Sequence, residues 1–521
     1  MRTVPRANEI SLIDSHSPNA QLRDGVPLAR DSSAHDTTTS SFNSSIDAPQ
    51  SKYQQERVRH WTEVARKVET WEGYGAYYHR RLVEIYQSLV APGQSVLELG
   101  CARGDLLAAL RPASGIGVDF SEEMIHAARR RHPNLRFVHA DVHELNLAEK
   151  FDVIILSDLV NDLWDVQTVL KRVSQQATPR SRIIINCYSR VWEPVLKTAQ
   201  WLNLATLTLY QNWLTVEDIT SLLGLADCEV IKRSEEILLP LPIPGLTGLF
   251  NRFMVKLWPL KHLALTNVIV ARARPRTAEL SKQPTVSVIV PARNEAGNIP
   301  DIFERTPEMG TGTELVFVEG HSRDNTYTAI EGAMAVHPER NCQLLRQTGV
   351  GKGDAVRLGF ARAKGEVLMI LDADLTVPPE DLPRFYEALQ SGKGEFINGV
   401  RLVYPMEKQA MRFLNLLGNK FFSLAFSSLL GQPIKDTLCG TKVLWKRDYE
   451  AIAANRACFG DFDPFGDFDL IFGAVKLNLK ITDLPIRYRE RVYGTTNIQR
   501  WKHGWLLLKM VSFAARRIKF V

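Results

Sequence analysis

The sequence predicts an α/β protein of two doubly wound domains behind a disordered N-terminal arm. Its 521 residues exceed what one hydrophobic core normally supports. Two separate stretches alternate short β-branched runs with segments of helical character, the pattern of parallel sheets covered by helices. Between them lies ARARPRTAELSKQPT, basic and polar with two prolines, which reads as a linker.

Residues 1–50, which include DSSAHDTTTSSFNSS, are rich in Ser, Thr, Asp and Asn. They have no hydrophobic period that could bury a face, and are expected to form the disordered arm. The first domain is expected over 51–274, with SVLELG, GIGVDF, LRFVHAD, FDVIILSD and SRIIINCY as parallel strands. CEVIKRS and LALTNVIVARAR should close that sheet as an antiparallel pair, with an apolar helix around Phe250–Leu260 between them. After a linker at 275–282, a second domain over 283–500 begins with the strands VSVIVPA, ELVFVEG, EVLMILDADL and FINGVRL. Residues 501–521 remain as a basic amphipathic helix.

A hydrophobic fraction of 45% and a charged fraction of 23% exclude wholesale disorder and a many-span membrane protein. The net charge of +6 is mild for this length and favours phosphate-bearing ligands or an anionic surface only slightly. The six cysteines show no C-x-x-C pair and no metal-ligand spacing, which fits reduced thiols in the cytoplasm. Arg6, Glu9, Asp14 and His16 interrupt any apolar core of an export signal. No stretch reaches the roughly 20 uncharged apolar residues of a membrane span. The nearest, Phe413–Ile434, carries Lys420 near its middle.

In VLELGCARGDLL a strand ends in Glu98 and runs through Gly100, Ala102 and Gly104 into a helix. That brings backbone close to a ligand and aims helix N–H groups at it. Asp119 in GIGVDFS ends the next strand, where a carboxylate can accept both hydroxyls of a ribose, and Asp141 in HADVHEL ends the one after. The G-x-x-x-G loop differs from the G-x-G-x-x-G spacing of nicotinamide-binding domains. This ordered set resembles the class I methyltransferases over roughly 51–274, with Ala102 in place of a common glycine. The resemblance implies S-adenosylmethionine as cofactor, its methionine part on the glycine loop and its ribose and adenine on the two later acids. SDLVNDLWD lacks the Asn/Asp-Pro-Pro-aromatic signature of nucleobase amine methylation, so no nucleic-acid acceptor is expected. Asp158, Asp162 and His143 are candidate bases, each equally able to serve as a helix cap or surface group.

In the second domain Pro291, Arg293 and Glu295 follow the first strand, and Glu319 and Asp324 follow the second. EVLMILDADL then delivers Asp372 and Asp374 where the chain leaves the sheet. Two hard carboxylates with open positions suit a divalent ion, Mg²⁺ or Mn²⁺, that also binds a diphosphate. These motifs, with GVGKGDAVRLGF, DTLCGTKVLWKRDY and YRERVYGTTN, resemble family 2 glycosyltransferases of the GT-A fold, nearest to polyprenyl-phosphate sugar transferases. The resemblance implies a UDP- or GDP-linked sugar donor, with Glu295, Glu319 and Asp324 at the nucleoside. It further implies Lys352 and Arg357 near the sugar diphosphate, Asp372 and Asp374 at phosphate and metal, and Arg487, Arg489 or Arg491 at an acceptor phosphate. Two departures are visible: Gly320 replaces a second acid after Glu319, and Thr376 replaces a residue that often offers a Gln to the metal. A phosphate acceptor needs no base, whereas a sugar hydroxyl would need Asp467 or Asp469 of FGDFDL.

Asn415, Asn419, Ser423 and Ser427 give a helix at 413–430 a narrow polar stripe, as in a buried helix or one dipping into a bilayer. After Glu490 the chain has no acidic residue, while Lys502, Lys509 and Arg516 recur at sevens, as on an interfacial helix. The expectation is a bifunctional enzyme, peripheral on the cytoplasmic face of a membrane, acting on polyprenyl phosphate or an envelope glycan precursor. The alternative is a glycosyltransferase whose first domain only senses ligand or recruits a partner.

Overall fold

The computed structural model describes residues 40–67, 73–201, 209, 211–275, 283–401, 413–456, 466–489, 491, 493 and 500–520. Helices α1 (Ser40–Lys67) and α2 (Gly73–Leu89) precede the first sheet. α1 therefore starts inside the stretch expected to lack structure; residues 1–39 lie outside the described residues.

The first sheet runs β1 (Ser95–Leu99), β2 (Ser114–Asp119), β3 (Arg136–His139), β4 (Val153–Ser157), β5 (Arg182–Tyr188), β6 (Cys228–Glu236) and β7 (Thr266–Ala273). Its spatial order is β3-β2-β1-β4-β5-β7-β6, parallel except for β7, which is antiparallel to both β5 and β6. This is the doubly wound arrangement with the antiparallel closure read from CEVIKRS and LALTNVIVARAR. Strands β1, β4 and β5 are buried almost throughout, because helices α3 (Asp105–Ala109), α4 (Glu122–Arg131), α5 (Val166–Gln176), α6 (Glu193–Trp201) and α7 (Val216–Leu225) belong to the same layered unit. The β6–β7 connection differs from expectation. Its helix α8 is short (Leu246–Arg252) and gives way to 3₁₀ turns at Met254–Lys256 and Leu260–Leu263. Prolines at 240, 242, 244 and 259 leave little uninterrupted length for a helix.

The second sheet comprises β8 (Val286–Ala292), β9 (Thr313–Glu319), β10 (Asn341–Arg346), β11 (Val367–Ile370), β12 (Phe396–Val400), β13 (Lys442–Trp445) and β14 (Ile481–Pro485). The order is β10-β9-β8-β11-β13-β12-β14, with β13 antiparallel to β11 and β12. Around it lie α9 (Ile299–Arg305), α10 (Thr326–Val336), α11 (Lys352–Arg362), α12 (Leu382–Gln390), α13 (Phe413–Leu430), α14 (Lys446–Ala454), α15 (Asp467–Lys476) and α16 (Arg500–Ala514).

α16 packs on this domain through Leu507, Met510 and Ala514, all buried. In α13 the described half of the polar stripe faces inward: Ser423 and Ser427 donate to the Ile434 carbonyl at 2.9 and 3.0 Å, while Phe421 and Leu424 are exposed; the side chains of Asn415 and Asn419 lie outside the described residues. No helix among the described residues is long and apolar enough to cross a membrane. Among the described residues Cys101, Cys187, Cys228, Cys342 and Cys439 are free thiols.

Candidate active sites

In the first domain the parallel strands end together at one edge, which carries Glu98, Asp119, Asp158 and Tyr188. The loop after β1 turns sharply, with positive φ at Gly100 (70°), Ala102 (45°) and Gly104 (73°). A Cβ on Gly104 would lie 2.5 Å from the Phe137 ring, so only glycine lets this loop close. Asp119 accepts from the Ala102 and Ser121 backbone N–H groups, both at 2.9 Å, which ties the end of β2 to the glycine loop. Glu98 accepts from the Leu107 N–H at 3.1 Å, and burial pushes its carboxyl up to about 8. Glu98, the glycine loop and Asp119 are thus brought together as the sequence implied. This cradle, tight at Gly104 and bounded by the Asp119 carboxylate, fits an adenosyl ligand.

Asp141 is in the next loop and is covered by α1: Gln54 Nε2 donates to one oxygen at 2.6 Å, while the His143 ring donates to the other at 2.7 Å. The other ring nitrogen of His143 accepts from the Asp165 N–H at 3.2 Å, so both ring nitrogens are engaged. Asp162 is likewise held, by Arg57 at 3.0 Å and the Trp61 indole N–H at 2.8 Å. The third candidate base is Asp158. It has positive φ, accepts from Tyr78 Oη at 2.9 Å and Asn186 Nδ2 at 2.5 Å, and is pushed by burial up to about 7.

In the second domain Pro291 and Glu319 stand at the ends of the adjacent strands β8 and β9. Glu319 accepts from the Ser322 N–H at 2.5 Å, and Asp324 accepts from Thr326 and, at 3.4 Å, from the Ala296 N–H. Arg293 is exposed beside them. The space left by Gly320, where a second acid was expected, is taken by Gln347, whose Oε1 lies 2.8 Å from where a Cβ would stand.

Beyond β11, Asp372 pairs with Lys352 at 2.6 Å. Burial opposes the charge on Lys352, but Asp372 and Asp467 outweigh it and raise its pKa. Burial likewise opposes ionisation of Asp372, and Lys352 overcomes it. Gly440 approaches so closely that any Cβ would overlap both the Asp372 carboxylate and the Lys352 ammonium. Gly466, before α15, packs against the backbone of Gly353 in the same way, which brings the start of α15 to the start of α11.

Asp467 therefore joins Lys352 and Asp372, with Lys442 3.5 Å away, whereas Asp469 turns to Arg456 at 2.8 Å and does not. The pairing of Asp469 follows from helix geometry, since residues two apart face different directions.

Asp374 Oδ2 and Glu295 Oε1 share the guanidinium of Arg491, at 2.6 and 2.9 Å. Burial pushes Glu295 up to about 7 against the pull of Arg491. Arg487 and Arg489 are exposed and take no part in this pairing. The two carboxylates of D-x-D are thus each matched to a cation. No group of three or more His, Cys, Asp or Glu side chains that could hold a metal exists among the described residues. Two hard carboxylates still fit a divalent ion that completes its shell with substrate phosphate and water.

Two α/β domains, each bringing its candidate site residues to the carboxyl edge of a largely parallel sheet, define the architecture. Residues 287–452 match the glycosyl transferase family 2 model, and residues 91–221 match a methyltransferase domain model. The chain carries a family 2 glycosyltransferase domain and a methyltransferase domain. A dolichol-phosphate mannosyltransferase of Pyrococcus furiosus is 27% identical over 246 residues, 45% of this chain and 67% of that one. An undecaprenyl-phosphate 4-deoxy-4-formamido-L-arabinose transferase of Shewanella sediminis is 32% identical over 111 residues, 20% of this chain and 34% of that one. The chain thus spans between about a third and about two thirds of these relatives. The crystal structure of magnesium protoporphyrin IX methyltransferase from Synechocystis with bound SAH is similar at 17% identity over 37% of this chain and 83% of that one, with a TM-score of 0.27.

Proposed function

We propose that the chain is a bifunctional transferase. The second domain would move a glycosyl group, with inversion, from a nucleotide sugar to polyprenyl phosphate, and the first would transfer methyl from S-adenosylmethionine. The observation that carries the reading is the cluster of Lys352, Asp372, Gly440 and Asp467 next to the triad of Asp374, Arg491 and Glu295. The similarity to a dolichol-phosphate and an undecaprenyl-phosphate sugar transferase supports the acceptor class.

In this reading Glu295, Glu319 and Asp324 border the nucleoside, with Pro291 and Arg293 beside them. Asp372 and Asp374 would hold the divalent ion, which supplies positive charge to the departing diphosphate when bound. Lys352 adds a fixed ammonium at the same place, where negative charge grows in the transition state. Arg491 would exchange its carboxylates for an acceptor phosphate once Asp374 is engaged, with the exposed Arg487 and Arg489 near it in sequence. A phosphate acceptor is already anionic near pH 7 and needs no base; a hydroxyl acceptor would use Asp467.

In the first domain Glu98, Gly100, Ala102, Gly104, Asp119 and Asp141 would bind S-adenosylmethionine, whose sulfonium supplies an electrophilic methyl group. Asp158, held by Tyr78 and Asn186, would take the proton of an acceptor. Attachment to the cytoplasmic face of a membrane completes the reading, supported by the acid-free basic residues 491–521.

The test is sugar transfer by the full chain from a panel of UDP- and GDP-sugars to polyprenyl phosphate in detergent, with Mg²⁺ or Mn²⁺, beside Asp374→Ala. A metal-dependent lipid-linked product from one donor, absent in the variant, is expected. Donor hydrolysis without lipid product would move the acceptor to a hydroxyl, and neither product nor hydrolysis from any donor would sink the glycosyltransferase reading.

A further inference from the structure

The β6–β7 connection is an outgrowth at the active edge of the first sheet. It leaves after Glu236 and returns at Thr266, which pairs with Tyr188 at the end of β5. Asn251 holds it in place: buried, it accepts from the Leu238 and Leu239 N–H groups, both at 2.7 Å, and donates to Tyr77 Oη at 2.9 Å. With its base fixed in this way, the outer part exposes Leu241, Ile243, Leu246, Leu249, Phe253, Leu257, Trp258 and Leu263, Trp258 to 79%. Soluble monomers rarely leave so many neighbouring large apolar groups in water.

The same outgrowth is joined to the end of the chain. Phe253 packs on Phe520 with ring centroids 5.3 Å apart, and Arg252 Nε donates to the Phe520 carbonyl at 2.7 Å. α16 in turn exposes Trp505 and Leu508, and the turn after it exposes Arg516 and Arg517. No Asp or Glu occurs from 237 to 278 or from 491 to 521, whereas Arg252, Lys261, Arg516, Arg517 and Lys519 fall within those segments; Lys256 is buried against Glu236 and takes no part.

We propose that residues 241–263 seat the chain on an anionic lipid bilayer, as one apolar and basic platform with the C-terminal helix. Charge selects the occupant. A second copy would oppose like charges, whereas anionic headgroups meet the basic residues while Leu, Ile and Trp side chains enter the acyl boundary. The inference goes beyond the transferase reading and stands whether or not the first domain methylates. It places the edge that carries Glu98, Asp119 and Asp158 beside the bilayer.

The test is co-sedimentation of the full chain with phosphatidylcholine vesicles, with and without phosphatidylglycerol, beside Leu249→Ser and Trp258→Ser. Both positions are exposed, so the variants should fold, and retained S-adenosylmethionine binding would report it. Expected results are binding that requires phosphatidylglycerol and weakens with salt, about tenfold weaker partitioning in each variant, and amide-exchange protection over 241–258 on vesicles. Unchanged partitioning of both variants, or protection confined to α16, would overturn the proposal. So would a dimer in solution that both substitutions dissolve while vesicle binding stays the same. Loss of vesicle binding in the wild type with donor hydrolysis intact would sink the docking surface and leave the glycosyltransferase reading standing.

Discussion

Arg182 and Glu395 meet between the two sheets: Arg182 Nη2 donates to both carboxylate oxygens, at 2.8 and 2.9 Å, with side chains only 6% and 8% exposed. Arg182 begins β5, and Glu395 immediately precedes β12. Glu395 also faces Arg272 at 3.3 Å and accepts from the Lys480 N–H at 2.9 Å. Around it Arg180 pairs with Asp448 at 3.0 Å and Lys480 with Glu229 at 2.5 Å. Such a pair contributes little net stability over apolar packing, but removing one partner strands the other.

Glu395→Gln should therefore cost about 3 kcal/mol, because the buried Arg182 guanidinium loses its counter-charge while Arg272 keeps only Glu229, at 2.7 Å. Pairing it with Arg182→Met should recover part of the loss. Urea unfolding of the single and double variants measures both; equal loss in the two would show that Arg182 is not the stranded partner.

Gly440→Ala should lower sugar transfer by about a hundredfold or more in a folded protein. The added methyl must displace the Lys352–Asp372 pair, and small displacements of groups that position a reacting centre carry penalties of that order. Steady-state rates beside an unchanged melting temperature would check it, and a rate within a few-fold of wild type would refute the tight approach.

Arg491→Gln frees an oxygen of Asp374 from a charged hydrogen bond, so Mn²⁺ should bind about tenfold more tightly without donor. Transfer to polyprenyl phosphate should fall in the same variant. Calorimetry and product formation read the two effects separately; unaltered Mn²⁺ affinity would mean that Arg491 does not compete for that carboxylate.

Glu98 carries a pH signature. Burial pushes its carboxyl from the ordinary 4.5 up to about 8 in the folded chain. The folded state holds a proton that the unfolded state has released, so the contribution is complete below 4.5 and is lost as pH rises to about 8. The melting temperature should decline over that window, and Glu98→Gln should flatten the decline. Parallel declines in both proteins would assign the effect elsewhere.

The continuous β-branched runs made β1, β4, β5, β8, β9 and β11 legible, since strands buried on both faces need no alternation. The mixed polar and apolar NCQLLR, the four-residue KVLW and the proline-ended ITDLP hid β10, β13 and β14, whose place is set by partners distant in sequence. Spacing likewise showed Asp372 and Asp374 as a pair. It could not show that one faces Lys352 and the other Arg491, nor that Gln347 fills the room beside Gly320. The inward turn of Ser423 and Ser427 was equally out of reach, because a stripe gives a face but not a direction.

The grip of α1 on the first site has a kinetic meaning. Gln54, Arg57, Trp61 and Thr62 commit their polar groups to Asp141, Asp162 and Glu123. A ligand whose adenine reaches Asp141 must first break the bond from Gln54. If the helix lifts from Gln54 to Arg66 to admit it, these four bonds go, at roughly 1 kcal/mol each, together with the exposed pair of Arg66 and Glu123. Ligand exchange would then run on the clock of that helix, and spent cofactor would leave no faster than α1 lets go.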